Sequence, residues 1–311
     1  MVPLMFASLA AALLPALLMA QQITIPLQKA PRQVERPIAP IEEWGPKWVE
    51  ACGGSADWDK PAPPVRIHGN TYLVGTCGIS ALLITGSEGH ILIDAGTEKG
   101  ADLIAENIRF LGFKPGDVKI LLHSHEHLDH VGGMARLQQL TGARLIASAA
   151  AAEVFKTGTA RPDDPQAGMH PPFPAARVDR LIRDGEVVRL GNLALTAITT
   201  PGHTSGALSW HWGSCDGGVC RRIVYADSLS AISRDDYKFS AHPEMVAPFR
   251  AGLHRLAALE CDILLTPHPG ASDMPNRLGL TAPLENRQAC ANYAAEREKD
   301  LDDRLAREAA R

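Results

Sequence analysis

Five histidines and one aspartate fall into three short segments whose spacing suits metal binding. The densest segment reads His123-Ser124-His125-Glu126-His127-Leu128-Asp129-His130-Val131-Gly132-Gly133. In an extended stretch alternate residues share a face, so His125 and His127 can grip one ion together. Asp129 and His130 follow where the chain bends toward a helix, which can turn them to a second ion. Gly132 and Gly133 permit close backbone approach. Two further segments, Pro201-Gly202-His203-Thr204 and Thr266-Pro267-His268-Pro269-Gly270, each place a histidine in a Pro/Gly turn just after a strand-like run. Imidazole and carboxylate suit zinc, and a catalytic zinc keeps three protein ligands with one position open for water. The six residues suffice for two such open sites, which argues for catalysis over closed four-ligand storage. His68, His90, His170, His211, His242 and His254 have no spacing partner and read as surface or satisfied core residues. His123 lies one alternation before the cluster and reads as a bystander.

The elements around these segments follow from periodicity and punctuation. Short apolar runs at 71–75, 80–85, 90–94 and 118–122 read as strands, the last leading straight into the histidines. Leu103, Ile104, Ile108 and Leu111 share one face of a helix over 98–111, with Gly112 as its stop. A helix over 134–140, a strand over 144–147 and a short helix over 149–155 follow. Residues 157–174 carry Pro162, Pro165, Pro171, Pro172 and Pro174 and read as a long loop, a functional rim. A second set of strands begins at Val178 and continues at 186–190, 193–199, 207–212, 222–226 and 263–265. Helices are expected at 243–259 and 283–311. Residues 21–65 read as an irregular arm over a single domain spanning 21–311. The residues alone support a mixed α and β fold in two loosely similar halves.

Composition narrows the function class. The chain has 311 residues, 45% of them hydrophobic, and a formal net charge of -4. No Lys/Arg run offsets that charge, so a nucleic-acid partner is not expected. Residues 1–20 carry no charge and are almost wholly apolar, and Gln21-Gln22 follows. They read as a secretory signal peptide cleaved after Ala20, hence export to the periplasm and no membrane contact after removal. No Cys-x-x-Cys pair occurs, and an even count of six cysteines in an exported chain suggests disulfides. Neighbour pairing gives Cys52–Cys77, Cys215–Cys220 and Cys261–Cys290. The middle pair would close a hairpin across Gly217-Gly218. Buried free thiols are the alternative.

The His125-x-His127-x-Asp129-His130-x-Gly132-Gly133 run, His203 after Pro-Gly and His268 before Pro-Gly resemble the signature of the metallo-β-lactamase superfamily. Leu92-Ile93-Asp94-Ala95-Gly96 is similar to another of its segments, with Asp94 as a supporting residue. Within the superfamily the chain resembles subclass B3, because Tyr225-Ala226-Asp227-Ser228-Leu229-Ser230 has Ser228 where other subclasses have a zinc-binding cysteine. The resemblance implies an α/β fold, a four-layer αββα sandwich of two mainly antiparallel sheets with helices outside. It implies two Zn2+ ions, the first held by His125, His127 and His203, the second by Asp129, His130 and His268. A hydroxide between the ions would attack the β-lactam carbonyl of penicillins, cephalosporins and carbapenems, with Asp129 and His203 in the catalytic set. Ser228 and Ser230 would bind the substrate carboxylate, and Gln166 would touch it from the rim. The partner would be a small β-lactam molecule, and the protein a monomer. The rival is a glyoxalase-type thioesterase or a lactonase, since Asp227 stands near where those enzymes carry a metal-bridging aspartate.

Overall fold

A computed structural model describes residues 39–310. The expected signal peptide and the arm up to residue 38 lie outside the described residues. The rest of the expected arm is not irregular, because helix α1 occupies Ile41–Cys52. Ile41, Trp44, Trp48 and Cys52 recur at helical spacing, but Pro46 interrupts the run and masks it in the sequence. Pro46 forfeits one internal hydrogen bond, and burial of Trp48 and Cys52 in the core offsets that loss. Gly53 ends the helix in the left-handed region, its N–H returning to the Val49 carbonyl.

Seven strands form the first sheet in sequence order: β1 (Val65–His68), β2 (Thr71–Leu73), β3 (Leu82–Gly86), β4 (Gly89–Ile93), β5 (Val118–Leu122), β6 (Arg144–Ala147) and β7 (Val178–Leu181). Strands β1 to β4 pair antiparallel, whereas β4 to β7 pair parallel. This corrects the expectation of a mainly antiparallel sheet, since half of these pairings are parallel. Parallel neighbours need crossovers. Helix α2 (Glu98–Phe110) supplies the first, α3 (Leu128–Val131) with α4 (Met134–Thr141) the second, and α5 (Ala149–Thr157) the third. Strand β7 also joins this sheet rather than opening the second half.

The second sheet has the order β12-β11-β10-β9-β8. Its strands are β8 (Val187–Leu190), β9 (Leu193–Thr199), β10 (Leu208–Asp216), β11 (Val219–Tyr225) and β12 (Ile263–Leu265). Only β11 and β12 run parallel. Helix α6 (Pro243–Ala257) connects them, and α7 (Met274–Leu278) and α8 (Ala289–Ala309) follow. The last helix starts at Ala289, later than the expected 283.

Strand alternation decides which residues meet. Leu82, Ile84, Ile91, Ile93, Ile120 and Leu122 face Ile223, Tyr225, Ile263 and Leu265 between the sheets. Leu83, Leu92, Val118 and Leu121 face outward to α2, α4 and α5. Val224 and Leu264 face outward to α6 and α8. The result is helices, sheet, sheet, helices, the expected four layers. All three neighbour-paired disulfides are present, Cys52–Cys77, Cys215–Cys220 and Cys261–Cys290.

Candidate metal centre

The predicted ligands converge on one edge of the sandwich, at the ends of β5, β9 and β12. His125, His127, Asp129 and His130 follow β5. His203 follows β9, where Gly202 has φ +150 and a Cβ there would lie 2.2 Å from the Phe249 ring. Only glycine lets that turn press so close to α6. His268 follows β12, and the Ser80 N–H holds its turn by donating to the Pro267 carbonyl.

The side chains form two adjoining donor sets. Donor atoms of His125, His127 and His203 all lie within 4.8 Å of one another. In the second set His130 Nε2 is 3.1 Å and His268 Nε2 3.4 Å from Asp129 Oδ2, and the two Nε2 atoms are 3.3 Å apart. His125 also reaches Asp129 and His130 within 4.8 Å, so the sets share a border. The six predicted ligands are thus brought together. His123 stays out: its Nε2 accepts from the Ser148 N–H, beneath α5.

Each imidazole of the first set has one nitrogen engaged outside it. His203 Nδ1 meets the Ser230 carbonyl and hydroxyl, both at 3.0 Å. His127 Nε2 meets Asp164 Oδ2 at 3.1 Å. His125 Nδ1 lies 2.8 Å from Asp227 Oδ1, while its Nε2 is buried with no hydrogen-bond partner. Burial, reinforced by neighbouring histidines, pushes the His125 and His203 rings well below the ordinary range, so both are neutral with a lone pair to offer. Burial opposes charge on His130 too, but Asp129 and Asp94 raise it to about 10. Burial likewise opposes charge on Asp129, yet the adjacent His130 holds it well below the usual carboxylate range.

This donor set fits a cation. Asp94, Asp129 and Asp227 are buried, and among the described residues none of them pairs with Lys or Arg. Carboxylates buried without Lys or Arg, beside the buried and unpartnered Nε2 of His125, make a donor set of the kind that zinc takes.

Behind the ligands Asp94 supports the centre, as expected. It sits at the end of β4 with φ +65, a left-handed conformation unusual for a residue with a side chain. Its oxygens accept from the Ser124 N–H at 2.6 Å, the Ser124 hydroxyl at 2.7 Å and the Tyr225 hydroxyl at 2.7 Å. Burial, then Asp94, lifts Tyr225 well above its ordinary range and keeps it a donor. Asp227 lies on the Nδ1 side of His125 and belongs to neither donor set. Its other oxygen accepts from the Leu229 N–H.

The predicted substrate residues differ among themselves. Ser228 Oγ is buried and free of hydrogen bonds, whereas the Ser230 hydroxyl is engaged with His203. Gln166 lies on the long loop and, with His127, His170 and Phe173, lines a cavity of about 230 Å³ beside the centre. Sequence reasoning missed Asp164 and Glu126. Nothing in the Pro-rich loop signals that Asp164 reaches back to His127. Glu126 was legible in principle, because alternation puts it opposite His125 and His127. Its carboxylate accepts from the Thr204 hydroxyl at 2.7 Å and the Gly206 N–H at 2.8 Å, tying the two ligand loops together.

The chain is similar to proteins of known family. A family model described as the metallo-β-lactamase superfamily matches residues 74–218. The solved structure of the MIM-2 metallo-β-lactamase is 57% identical, covers 85% of this chain and 98% of its own, and superposes with a TM-score of 0.82. MEM-A1, a subclass B3 metallo-β-lactamase isolated from a soil metagenome library, is 44% identical over 82% of this chain and 99% of its own, with a TM-score of 0.79. The hydroxyacylglutathione hydrolase of Cereibacter sphaeroides is 30% identical over 166 residues, 53% of this chain and 54% of that protein. The chain therefore spans about half the length of the curated relatives it matches. Against the lactamase structures the likeness runs along nearly their whole length, far beyond the histidine segments, and the chain belongs to the subclass B3 metallo-β-lactamases.

Proposed function

We propose that this protein is an exported, zinc-dependent β-lactamase. It hydrolyses the amide bond of penicillins, cephalosporins and carbapenems and so confers antibiotic resistance. The observation that carries this reading is the pair of adjoining three-residue donor sets, His125, His127 and His203 next to Asp129, His130 and His268. His125, His127 and His203 would hold one zinc ion, and Asp129, His130 and His268 the other. Zinc in such a place supplies Lewis acidity to a carbonyl and acidifies water at neutral pH.

The chain's own groups supply orientation. Ser230 turns the His203 ring through its Nδ1. Asp129, buried against His130, stands as a carboxylate and would offer an oxygen to the second ion and to the water beside it. The Ser228 hydroxyl donates to the substrate carboxylate, and Gln166 closes the loop side of the cleft. Three disulfides support folding in an oxidising compartment such as the periplasm. The enzyme acts as a monomer on a small-molecule substrate.

A thioesterase is the competing reading, suggested by the hydroxyacylglutathione hydrolases among the relatives. The placement of Asp227 against His125 Nδ1, outside both donor sets, favours the lactamase. Purified protein is expected to hydrolyse a carbapenem, to contain two zinc ions by elemental analysis and to lose activity with a chelator. Zinc-loaded protein that leaves the carbapenem intact but cleaves an S-acylglutathione rapidly would overturn the proposal.

A further inference from the structure

His127 differs from the other rings. His203 and His268 turn Nδ1 to backbone carbonyls, of Ser230 and Gly78, and His125 turns Nδ1 to Asp227. His127 instead engages Nε2, and its partner comes from the distant loop between α5 and β7. Asp164 Oδ2 and Oδ1 stand 3.1 and 3.3 Å from that nitrogen. A carboxylate is an acceptor only, so Nε2 carries the hydrogen, and a ring held this way can offer a metal only its Nδ1.

Asp164 is itself held. It is 3% exposed, and its Oδ1 accepts from the Gln166 N–H at 2.7 Å. Arg234 donates from Nη1 to the Asp164 carbonyl and from its backbone N–H to the Pro165 carbonyl, both at 3.0 Å. Arg234 lies four residues beyond Ser230, on the segment that carries Ser228 and Ser230. On the other side the Ser205 hydroxyl donates to Asp163, tying the loop to the His203 turn. The loop that presents the carboxylate is therefore fixed from two neighbouring segments.

We propose that Asp164 is a positioning residue that makes Nδ1 the metal-binding atom of His127, and that Arg234 holds it in register. A carboxylate on the far nitrogen also strengthens the ring as a donor, and such partners typically matter roughly 10–100-fold in metal affinity. The proposal deepens the zinc-binding reading above and rests on it.

The test titrates zinc against a chromophoric chelator and records two-bond proton–nitrogen spectra of 15N-histidine-labelled full-length protein. For Asp164→Ala the affinity for one of the two ions is expected to fall roughly 10–100-fold. The His127 signal is expected to leave the Nε2-protonated pattern. Asp164→Asn keeps an acceptor oxygen and is expected to lose less. Thermal melts of the metal-free forms check folding, and if Asp164→Ala does not fold, Asp164→Leu, which also lacks an acceptor, takes its place in both measurements. Parental zinc affinity in Asp164→Ala, or an unchanged His127 signal, overturns the proposal. A parent protein that takes up no zinc overturns the zinc-binding reading instead, so the two failures are distinct.

Discussion

Ser228 and Ser230 are two residues apart, yet the fold gives their hydroxyls different tasks. Ser228 Oγ has no partner, while the Ser228 carbonyl accepts from the Tyr293 hydroxyl at 2.6 Å and anchors the turn. A hydrogen bond to a charged group is worth about 1.5 kcal/mol or more, which is about tenfold in binding. Ser228→Ala is therefore expected to raise KM for a β-lactam about tenfold with kcat nearly kept. Ser230→Ala removes one of two contacts to His203 Nδ1, and the backbone carbonyl remains. Its effect on kcat/KM is expected to stay within about threefold, the low end for one hydrogen bond. Steady-state kinetics on both variants checks this, and equal losses would contradict the division of labour.

At the scale of elements, the strand ends and their turns carry the centre. Gly202 is the tightest case. Alanine there would combine a strained φ with a Cβ 2.2 Å from the Phe249 ring. Overpacking of this kind costs about 1–3 kcal/mol, and the only relief is to move the His203 turn. Gly202→Ala is expected to lower the urea midpoint and to weaken zinc binding together. A second element-scale prediction concerns β10. His211 is half-buried, with Nε2 unpartnered, and burial, then Arg222, lowers its pKa below the ordinary 6.5, against a pull from Glu260. A base whose pKa is lower in the fold is disfavoured when protonated. Its contribution is intact above pH 6.5 and declines as pH falls from there toward the folded value. His211→Gln is expected to flatten the loss of melting temperature between neutral and mildly acidic buffer, measured in the same zinc concentration. An unchanged acid slope would assign that loss to other groups.

For the whole molecule, three cores stack in layers, and the disulfides fasten their margins. Cys261–Cys290 links the start of β12 to α8 across a separation of 29 residues. In the chain-entropy account a loop of that length contributes about 3–4 kcal/mol, against about 2 kcal/mol for the five-residue separation of Cys215–Cys220. Replacing Cys261 and Cys290 by serine is expected to lower unfolding free energy by about 3 kcal/mol. Replacing Cys215 and Cys220 should cost less, because strand pairing already holds that hairpin. Denaturant titration of both double variants measures the difference.

The six candidate ligands, which the fold brings together, were legible in the sequence because their types are rare and their spacing is local. Strand alternation puts His125 and His127 on one face, and Pro/Gly turns after strands mark His203 and His268. Strands β5, β6, β9 and β12 were legible for a similar reason, since each is a short apolar run bounded by polar or turn residues. Helix α1 was not, because Pro46 breaks its pattern and only packing of Trp48 against the inner core shows why it forms. The parallel half of the first sheet was also hidden, since direction of pairing depends on where a crossover helix packs. Above all, the sequence by itself determined which residues can bind metal, whereas the tertiary structure decided which atoms of them are free to do so. Asp164, Ser230 and Gly78 each engage one ring nitrogen from a segment distant in the chain. A neutral imidazole has a single lone pair, so those long-range partners choose the metal-facing nitrogen, a choice that no local spacing encodes.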